Sequence, residues 1–557
     1  MRESIEFIAA GAVIILALSV PSLRGARRRS TGVATGRGQS VWKRHSARRS
    51  AILRRHGVLL VFLIVFALGA VGAWRGTHPD PAVHDEFSYL LAADTYGHGR
   101  LANPTHPFWE HFESFYIIWQ PTYVSKYPPG PGLFMALGTF VFGHPIFAVW
   151  LSVAAAAAAI FWMLRTWFTP GWALAGTLIP TARMLLLWAD NYWAAALAVM
   201  GGALVFGALA RFIERPRAGS GVLLAIGVSV LANTRPFEGL LVCVPAAVVL
   251  LVWAARRIAT GDYRTVVSSL GPAFLLVTAT LAWMSYYNYR TTGDPLTMPY
   301  TVYTDSYAIA GEFAPLPRKD EPVYRHDELR EFHYDYHLPG WEAARSNLGF
   351  NAETWRKSRK TFKLLIGFAM VIPLLVGLVH RFRSDAWTRL ATITCLIVIL
   401  GSFAVVHHFP RYLAPVLAIA MLPVVHGLRY IRVWSWRGRP AGRRIATGLV
   451  LVYAVILLPW MATRLSASAY PRGDRSLISE RLEEMGGTHL VVVRYAPGHS
   501  LHDEWVYNAA DLDGSPIIWA REMDTARNER LFDYFGDRQV WLAEPDSSPA
   551  SLRPYPR

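Results

Sequence analysis

Twelve mostly apolar runs punctuate this chain, near residues 5–22, 57–75, 146–165, 171–189, 191–212, 220–236, 238–255, 270–287, 362–381, 388–406, 411–430 and 446–463. Each approaches the roughly 20 residues a helix needs to cross a bilayer. In lipid every backbone N–H and C=O must be satisfied within the spanning structure, so runs of this length and spacing are predicted to be membrane helices. A thirteenth run, Gly132–Phe142, is short. With 53% hydrophobic and 13% aromatic residues, the chain is too apolar for an ordinary soluble protein.

Charge gives the runs a direction. The formal net charge is +17, and eleven Lys and Arg lie between Arg24 and Arg55, with no acidic residue between Glu6 and Asp80. Such a run beside apolar segments marks the side facing the cytoplasm and anionic lipid, and it argues for topology before RNA binding. Arg211–Arg217, Arg256–Arg264 and Arg429–Arg444 are basic in the same way. Placing all four inside puts 76–130, 288–361 and everything after 464 outside. The number of spans between Gly130 and Arg211 must then be odd, yet four runs lie there, so Gly132–Phe142 is expected not to cross fully. The first run, Ile5–Leu18, has basic residues after it and no obvious cleavage site, which predicts a retained helix and not a signal peptide. Cys243 and Cys395 both fall in apolar runs and build neither a disulfide framework nor a zinc site.

Three regions follow. Residues 1–56 form an extra N-terminal helix and basic cytoplasmic linker, and 57–463 the membrane part with its two large outer loops. After 464 the composition turns soluble. There Leu490–Arg494, Pro516–Trp519 and Gln539–Leu542 read as short buried strands and Asp524–Phe535 as a helix. The expected fold is an α-helical polytopic membrane protein of about 12–13 transmembrane helices with a small extracytoplasmic α/β domain at residues 464–557.

The first outer loop holds most of the chemistry: Asp85, Glu86, Asp94, Glu110, Glu113, five histidines and Lys126-Tyr127-Pro128-Pro129-Gly130. A carboxylate at a membrane edge can act as base on a hydroxyl arriving from water. If the segment is helical, Asp85 and Glu86 point about 100° apart and must divide their labour. They equally suit the first turn of an interfacial helix, where acidic residues are favoured, and the two readings are compatible. His106, Glu110, His111 and Glu113 do not make a recognisable metal-ligand spacing. Most of these groups are better explained as interfacial residues among aromatics, so no metal is assigned, although a divalent cation stays open as a cofactor. His502-Asp503-Glu504 repeats the triplet of the first loop and is read as coincidence.

A first span, an outer loop opening on Asp85-Glu86 with Tyr89 after it, and Lys126-Tyr127-Pro128-Pro129 before the next apolar run resemble the GT-C superfamily of membrane glycosyltransferases. The nearest branches are the protein O-mannosyltransferases and the lipid A aminoarabinose transferases. The likeness covers about 57–463. It departs where Tyr127 separates the lysine from its proline, in the N-terminal addition, and in a C-terminal domain that matches no family domain of known role. Asn233-Thr234-Arg235-Pro236-Phe237-Glu238-Gly239 and His407-His408-Phe409-Pro410-Arg411-Tyr412 are similar to two further family turns.

The resemblance implies inverting transfer of a sugar from a polyprenyl-phosphate donor to a lipid, glycan or protein acceptor on the outer face of a bacterial inner membrane. By carry-over Asp85 is the general base and Glu86 orients the site. Lys126, Arg235, Arg411 and Tyr412 are the donor-phosphate candidates, and Asp190, Glu238 and His407 support them. The simpler alternatives are an Arg235–Glu238 ion pair, snorkelling of Arg411 and a helix cap at Asp190. A polytopic transporter or lipid-linked-saccharide flippase would carry its charges near the midplane on repeated halves. Here no halves repeat, and the charges collect at outer edges. A non-catalytic sensor with the C-terminal domain as its working part is the third reading. Sugar, acceptor and oligomeric state are left open.

Overall fold

The computed structural model describes residues 12–13, 37–71, 78–193, 195–346, 352, 354–359, 367–466, 470 and 472–556. The predicted run at 5–22 lies outside them but for two residues. The membrane part is built from α1 (Arg37–Ala70), α2 (His84–Gly97), α3 (Pro129–Phe142), α4 (Ile146–Leu164), α5 (Pro170–Trp188), α6 (Ala195–Glu214), α7 (Ala218–Thr234), α8 (Pro236–Ala259) and α9 (Tyr263–Thr292). The second outer loop folds into α10 (Pro299–Tyr307) and a continuous helical stretch of Asp327–Arg330, π-helical Glu331–His337 and α11 (Leu338–Arg345). Then follow α12 (Phe368–Arg381), α13 (Ala386–Phe403), the turns Pro410–Leu413 and Ala414–Leu417, α14 (Met421–Val433) and α15 (Ala441–Leu465).

Among the described residues seven helices are long and apolar enough to cross a membrane, or eight if the pair bent by 68° at Pro410–Leu417 and Met421–Val433 is one span. The sequence expectation was about 12–13 for the whole chain; of its runs, 5–22 lies outside the described residues, and three others form helices that are interrupted or short. The predicted runs at 171–189, 220–236 and 362–381 correspond to α5, which carries Pro180 and the buried Arg183, to α7 with 17 residues and to α12 with 14. At 1.5 Å per residue the last two rise only about 21–26 Å against a core of about 30 Å.

Helix α3 begins beside Pro128 and ends beside His144, whose ring stacks 4.0 Å from His78 and lies 6.2 Å from Tyr192. Both its ends are therefore at the same end of the bundle as α2. At 14 residues it is one of the shorter apolar helices, and three helices, α4 to α6, follow it before the Arg215–Arg217 turn. Six alanines in Ala154–Ala159 give α4 a slim buried face, so that α1 and α6 pack closely on either side of it.

The first outer loop pairs β1 (Ile117–Ile118) with β2 (Val124–Ser125) antiparallel. The C-terminal region holds α16 (Asp474–Met485), β3 (His489–Val493), β4 (Ile517–Arg521), α17 (Thr525–Tyr534), β5 (Gln539–Glu544) and β6 (Ser551–Pro554). Its sheet has the order β4-β3-β5-β6, the first three strands parallel and β6 antiparallel at the edge. The three expected strands and the helix are all present, and β6 is an addition. This region is not a free appendage. Phe112, Ile117, Trp119 and Tyr123 of the first loop share one apolar core with Leu490, Tyr507, Leu512, Ile518 and Leu531.

Candidate functional site

The start of α2 positions the two adjacent carboxylates. Val83 is extended, and Glu86 turns back so that Oε2 accepts the backbone N–H of Ala82 at 2.8 Å and of Val83 at 3.2 Å. Its Oε1 accepts Tyr192 N–H at 2.8 Å. Glu86 is thus 2% exposed and occupied in fixing the helix start against the 189–193 turn. One residue earlier on the helix, Asp85 faces a cavity. The sequence expectation of divided labour matches this geometry, with Glu86 acting through backbone and not through the cavity.

Asp85 accepts Arg411 Nη2 at 2.9 Å on Oδ2 and the Tyr127 hydroxyl on Oδ1. Burial alone would raise its carboxyl, but Arg411, the Tyr127 hydroxyl, Lys126 and Arg235 together hold it below the ordinary value. Neighbouring His84 donates to or accepts from the Tyr507 hydroxyl at 2.8 Å, and burial pushes its imidazole down to about 4.

Ser88 brings Lys126 to the same place. Its hydroxyl reaches Ser125 Oγ and the Tyr116 carbonyl, both at 2.7 Å, and pins the β1–β2 hairpin to α2. Lys126 Nζ sits 3.5 Å from the Tyr116 ring centre and 4.7 to 5.3 Å from those of Tyr300, Tyr303 and Tyr127. Aromatic faces of this kind attract an ammonium. Burial pushes Lys126 down to about 8, with Glu312 and Asp85 opposing the fall.

Arg235 occupies the break between α7 and α8, where Pro236 takes the first position of the new helix. A Cβ on Gly130 would come within 2.5 Å of the Asn233 carbonyl, so only glycine lets the loop after Lys126 rest on this break. The Arg235 guanidinium lies 4.9 Å from the Tyr412 ring. Arg411 is 9% exposed and stacks on Phe409 at 4.3 Å and Trp193 at 4.6 Å, so it does not snorkel. Lys126 and Arg235 make no ion pair within 4.0 Å among the described residues, Glu238 included.

These groups enclose a cavity of about 430 Å³. Of the residues singled out in the sequence, Asp85, Lys126, Arg235, Glu238, His407, Arg411 and Tyr412 line it. Asp190 does not. It lies beyond Glu86, 2.9 Å from both Arg464 Nη2 and the Tyr470 hydroxyl and 3.2 Å from Trp460 Nε1, and it ties α15 to the 189–193 turn. It caps no helix.

Several lining residues were not singled out. Glu312 comes from the second outer loop, as do Tyr303, His333 and His337. That stretch was noted for its tyrosines and acids, but nothing in its spacing selected one. His502 also lines the cavity, its ring 5.9 Å from that of His84 and 5.7 Å from Tyr336. Its triplet was read as coincidence, and of the three residues only His502 lines the cavity. Glu504 is structural, paired with Arg521 behind it. Among the described residues no three His, Cys, Asp or Glu side chains are grouped to hold a metal ion.

The fold and cavity define a polytopic helical membrane protein with a buried ionic site at one end of its bundle. No family model matches the chain, and no curated protein matches it. It is similar to the crystal structure of ArnT from Cupriavidus metallidurans bound to undecaprenyl phosphate, at 13% identity and TM-score 0.47, over 87% of this chain and 92% of that one. It is also similar to the Archaeoglobus fulgidus oligosaccharyltransferase in complex with Zn and sulfate, at 11% identity and TM-score 0.44, over 78% of this chain and 59% of that one. A third similar structure is the archaeal oligosaccharyltransferase AglB from the same organism with an inhibitory peptide and a dolichol-phosphate, at 10% identity and TM-score 0.40, over 88% and 70%. At this level of likeness the chemistry of the cavity has to be read from its own residues.

Proposed function

We propose that this chain is a membrane glycosyltransferase that moves a sugar, with inversion, from a polyprenyl-phosphate donor to an acceptor on the outer face of a bacterial inner membrane. One observation carries the reading. Lys126, buried, and Arg235, half-buried, make no ion pair within 4.0 Å among the described residues, and both line the same cavity as the Asp85 carboxylate. A buried cation is expensive unless something pairs with it, and an anionic ligand would. The GT-C-like motifs fall on these same residues, and the basic loops argue for the sidedness.

A donor whose leaving group is a lipid phosphate is already activated, so positioning, base catalysis and charge neutralisation are what the protein supplies. The phosphate lies between Lys126 and Arg235. The acceptor hydroxyl attacks the anomeric carbon from the opposite side as the bond to phosphate breaks. Asp85 takes the hydroxyl proton, and the polyprenyl phosphate leaves. Tyr127 and Arg411 each engage one Asp85 oxygen and fix the carboxylate plane, while the spare lone pairs can receive the proton. Glu86 holds the helix start that aims Asp85.

The test is transfer itself. Purified protein in lipid nanodiscs is supplied with radiolabelled polyprenyl-phosphate sugars and a membrane extract as acceptor source. Label leaving the lipid with the wild type, and staying on it with Asp85→Asn, supports the reading. Label that stays on every donor, together with no measurable binding of polyprenyl phosphate, overturns it.

A further inference from the structure

The cavity's formal charges balance: Lys126, Arg235 and Arg411 face Asp85, Glu238 and Glu312. A phosphate entering this set makes it net negative unless a carboxylate is neutralised. The three carboxylates are not equivalent. Asp85 is committed to Arg411 at 2.9 Å. Glu238 stands in the first turn of α8, where the helix dipole favours the ionised form. Glu312 has neither support. It sits on an irregular loop held by contacts that do not involve its own carboxylate: its carbonyl accepts Val406 N–H at 2.8 Å, Ala314 N–H reaches the Ala404 carbonyl at 2.8 Å, and Arg345 donates to the Ala314 carbonyl at 3.0 Å. Its carboxylate faces Lys126 as its main electrostatic partner, with Glu238, Arg235 and Asp85 further contributors, yet no ion pair within 4.0 Å forms between them. Tyr116 and Tyr412 also face it, and His333 and His337 line the same cavity.

We propose that Glu312 is the exchangeable counter-ion of this cavity: it balances Lys126 when no anion is bound, and it takes up one proton when a phosphate group moves between the two. This rests on the phosphate reading above and adds a residue that sets how tightly the donor is held. Burial already pushes the Glu312 carboxyl above its ordinary value, with Lys126 opposing the rise, so the proton is taken up readily once that ammonium turns to the ligand.

The probe is decaprenyl methyl phosphate, a phosphodiester whose single charge is fixed around neutral pH. Its binding to the full-length protein in nanodiscs is measured by calorimetry in two buffers of different ionisation enthalpy, which counts protons. The wild type takes up about one proton per ligand, and its affinity rises as pH falls. Measured near pH 6, where Lys126 keeps its charge, Glu312→Gln takes up none, binds about tenfold tighter and loses the rise in affinity toward acid pH. The substitution spares the backbone pairing that holds the loop, and an unchanged unfolding temperature checks this. In a Lys126→Met background Glu312→Gln brings no gain. Equal or weaker binding by Glu312→Gln, or proton uptake that persists in it and so belongs to a group such as His333 or His337, overturns the assignment. If the wild type itself does not bind the probe, the phosphate reading falls and the inference with it.

Discussion

Arg411 and Asp85 meet at 2.9 Å across 326 residues of chain, inside a cavity where both are largely buried. A buried pair of this kind is costly to break from one side, and the two halves fail differently. Asp85→Asn removes the proton acceptor but leaves a neutral side chain that Arg411 and Tyr127 can still bond. Transfer falls by on the order of 10²–10⁴, while polyprenyl-phosphate binding and the unfolding temperature hold. Arg411→Ala strands the carboxylate, and stability falls by about 3–5 kcal/mol, measured by denaturation in detergent. Turnover near wild type in Asp85→Asn would take the base role away from Asp85.

The pH profile follows from two groups. Asp85 is held below the ordinary carboxyl value, so it stays ionised as pH falls through the range where a free carboxylate, near about 4, takes its proton. Lys126 is pushed down to about 8 by burial, so its charge is present below that pH and lost as pH rises through it. The kcat/KM profile, which reports the free enzyme, therefore shows no loss toward acid through that range and falls on the alkaline side near pH 8. Lys126→Arg keeps its charge throughout and moves the alkaline limb upward. A limb that stays in place in that variant belongs to another group.

The residues that were legible in the sequence lie near the edges of apolar runs: Arg235 and Arg411 directly beside a proline, Lys126 two residues before Pro128, and Asp85 about ten residues after the run that ends near residue 75. An ionisable group at such a boundary cannot face lipid and so turns inward. Glu312 and His502 lie in loops with no flanking period, and long-range backbone pairing and the shared core bring them to the cavity. Nothing local encodes either. Asp190 stands at a helix end as read, and its ion-pair partner, Arg464, lies about half the chain length away. Apolar composition does not record where proline and short length interrupt a helix, so among the described residues three of the apolar runs are not helices that pass as spans by length and composition.

Glu86 offers a test of orientation without chemistry. Its carboxylate accepts three backbone N–H groups, from Ala82, Val83 and Tyr192. Glu86→Gln replaces one acceptor oxygen with an amide that donates, leaving at least one buried N–H unsatisfied at about 1–3 kcal/mol. Stability falls by that amount. If Glu86 only aims Asp85, kcat drops with the KM for donor unchanged and the alkaline limb where it was. A KM rise with kcat intact would place Glu86 in donor binding instead.

The C-terminal region joins the site through α2. Tyr507 stacks on Phe87 at 4.0 Å and bonds His84, the residue before Asp85, at 2.8 Å. Arg521, 2% exposed, reaches the Glu113 carbonyl at 2.8 Å and Glu328 at 3.1 Å, so it clamps both outer loops to the sheet. Removing residues 472–557 strips the apolar face from Phe112, Ile117 and Trp119. Such a truncation is expected to lose transfer entirely and to make the 76–130 loop sensitive to protease, whereas a separable sensor domain would leave basal turnover. Tyr507→Phe isolates the local effect. It deletes one hydrogen bond of about 0.5–1.5 kcal/mol, preserves the stacking on Phe87, and lowers transfer only by freeing His84 beside the base. A truncated protein that still transfers sugar would show that the sheet roofs the cavity without shaping it.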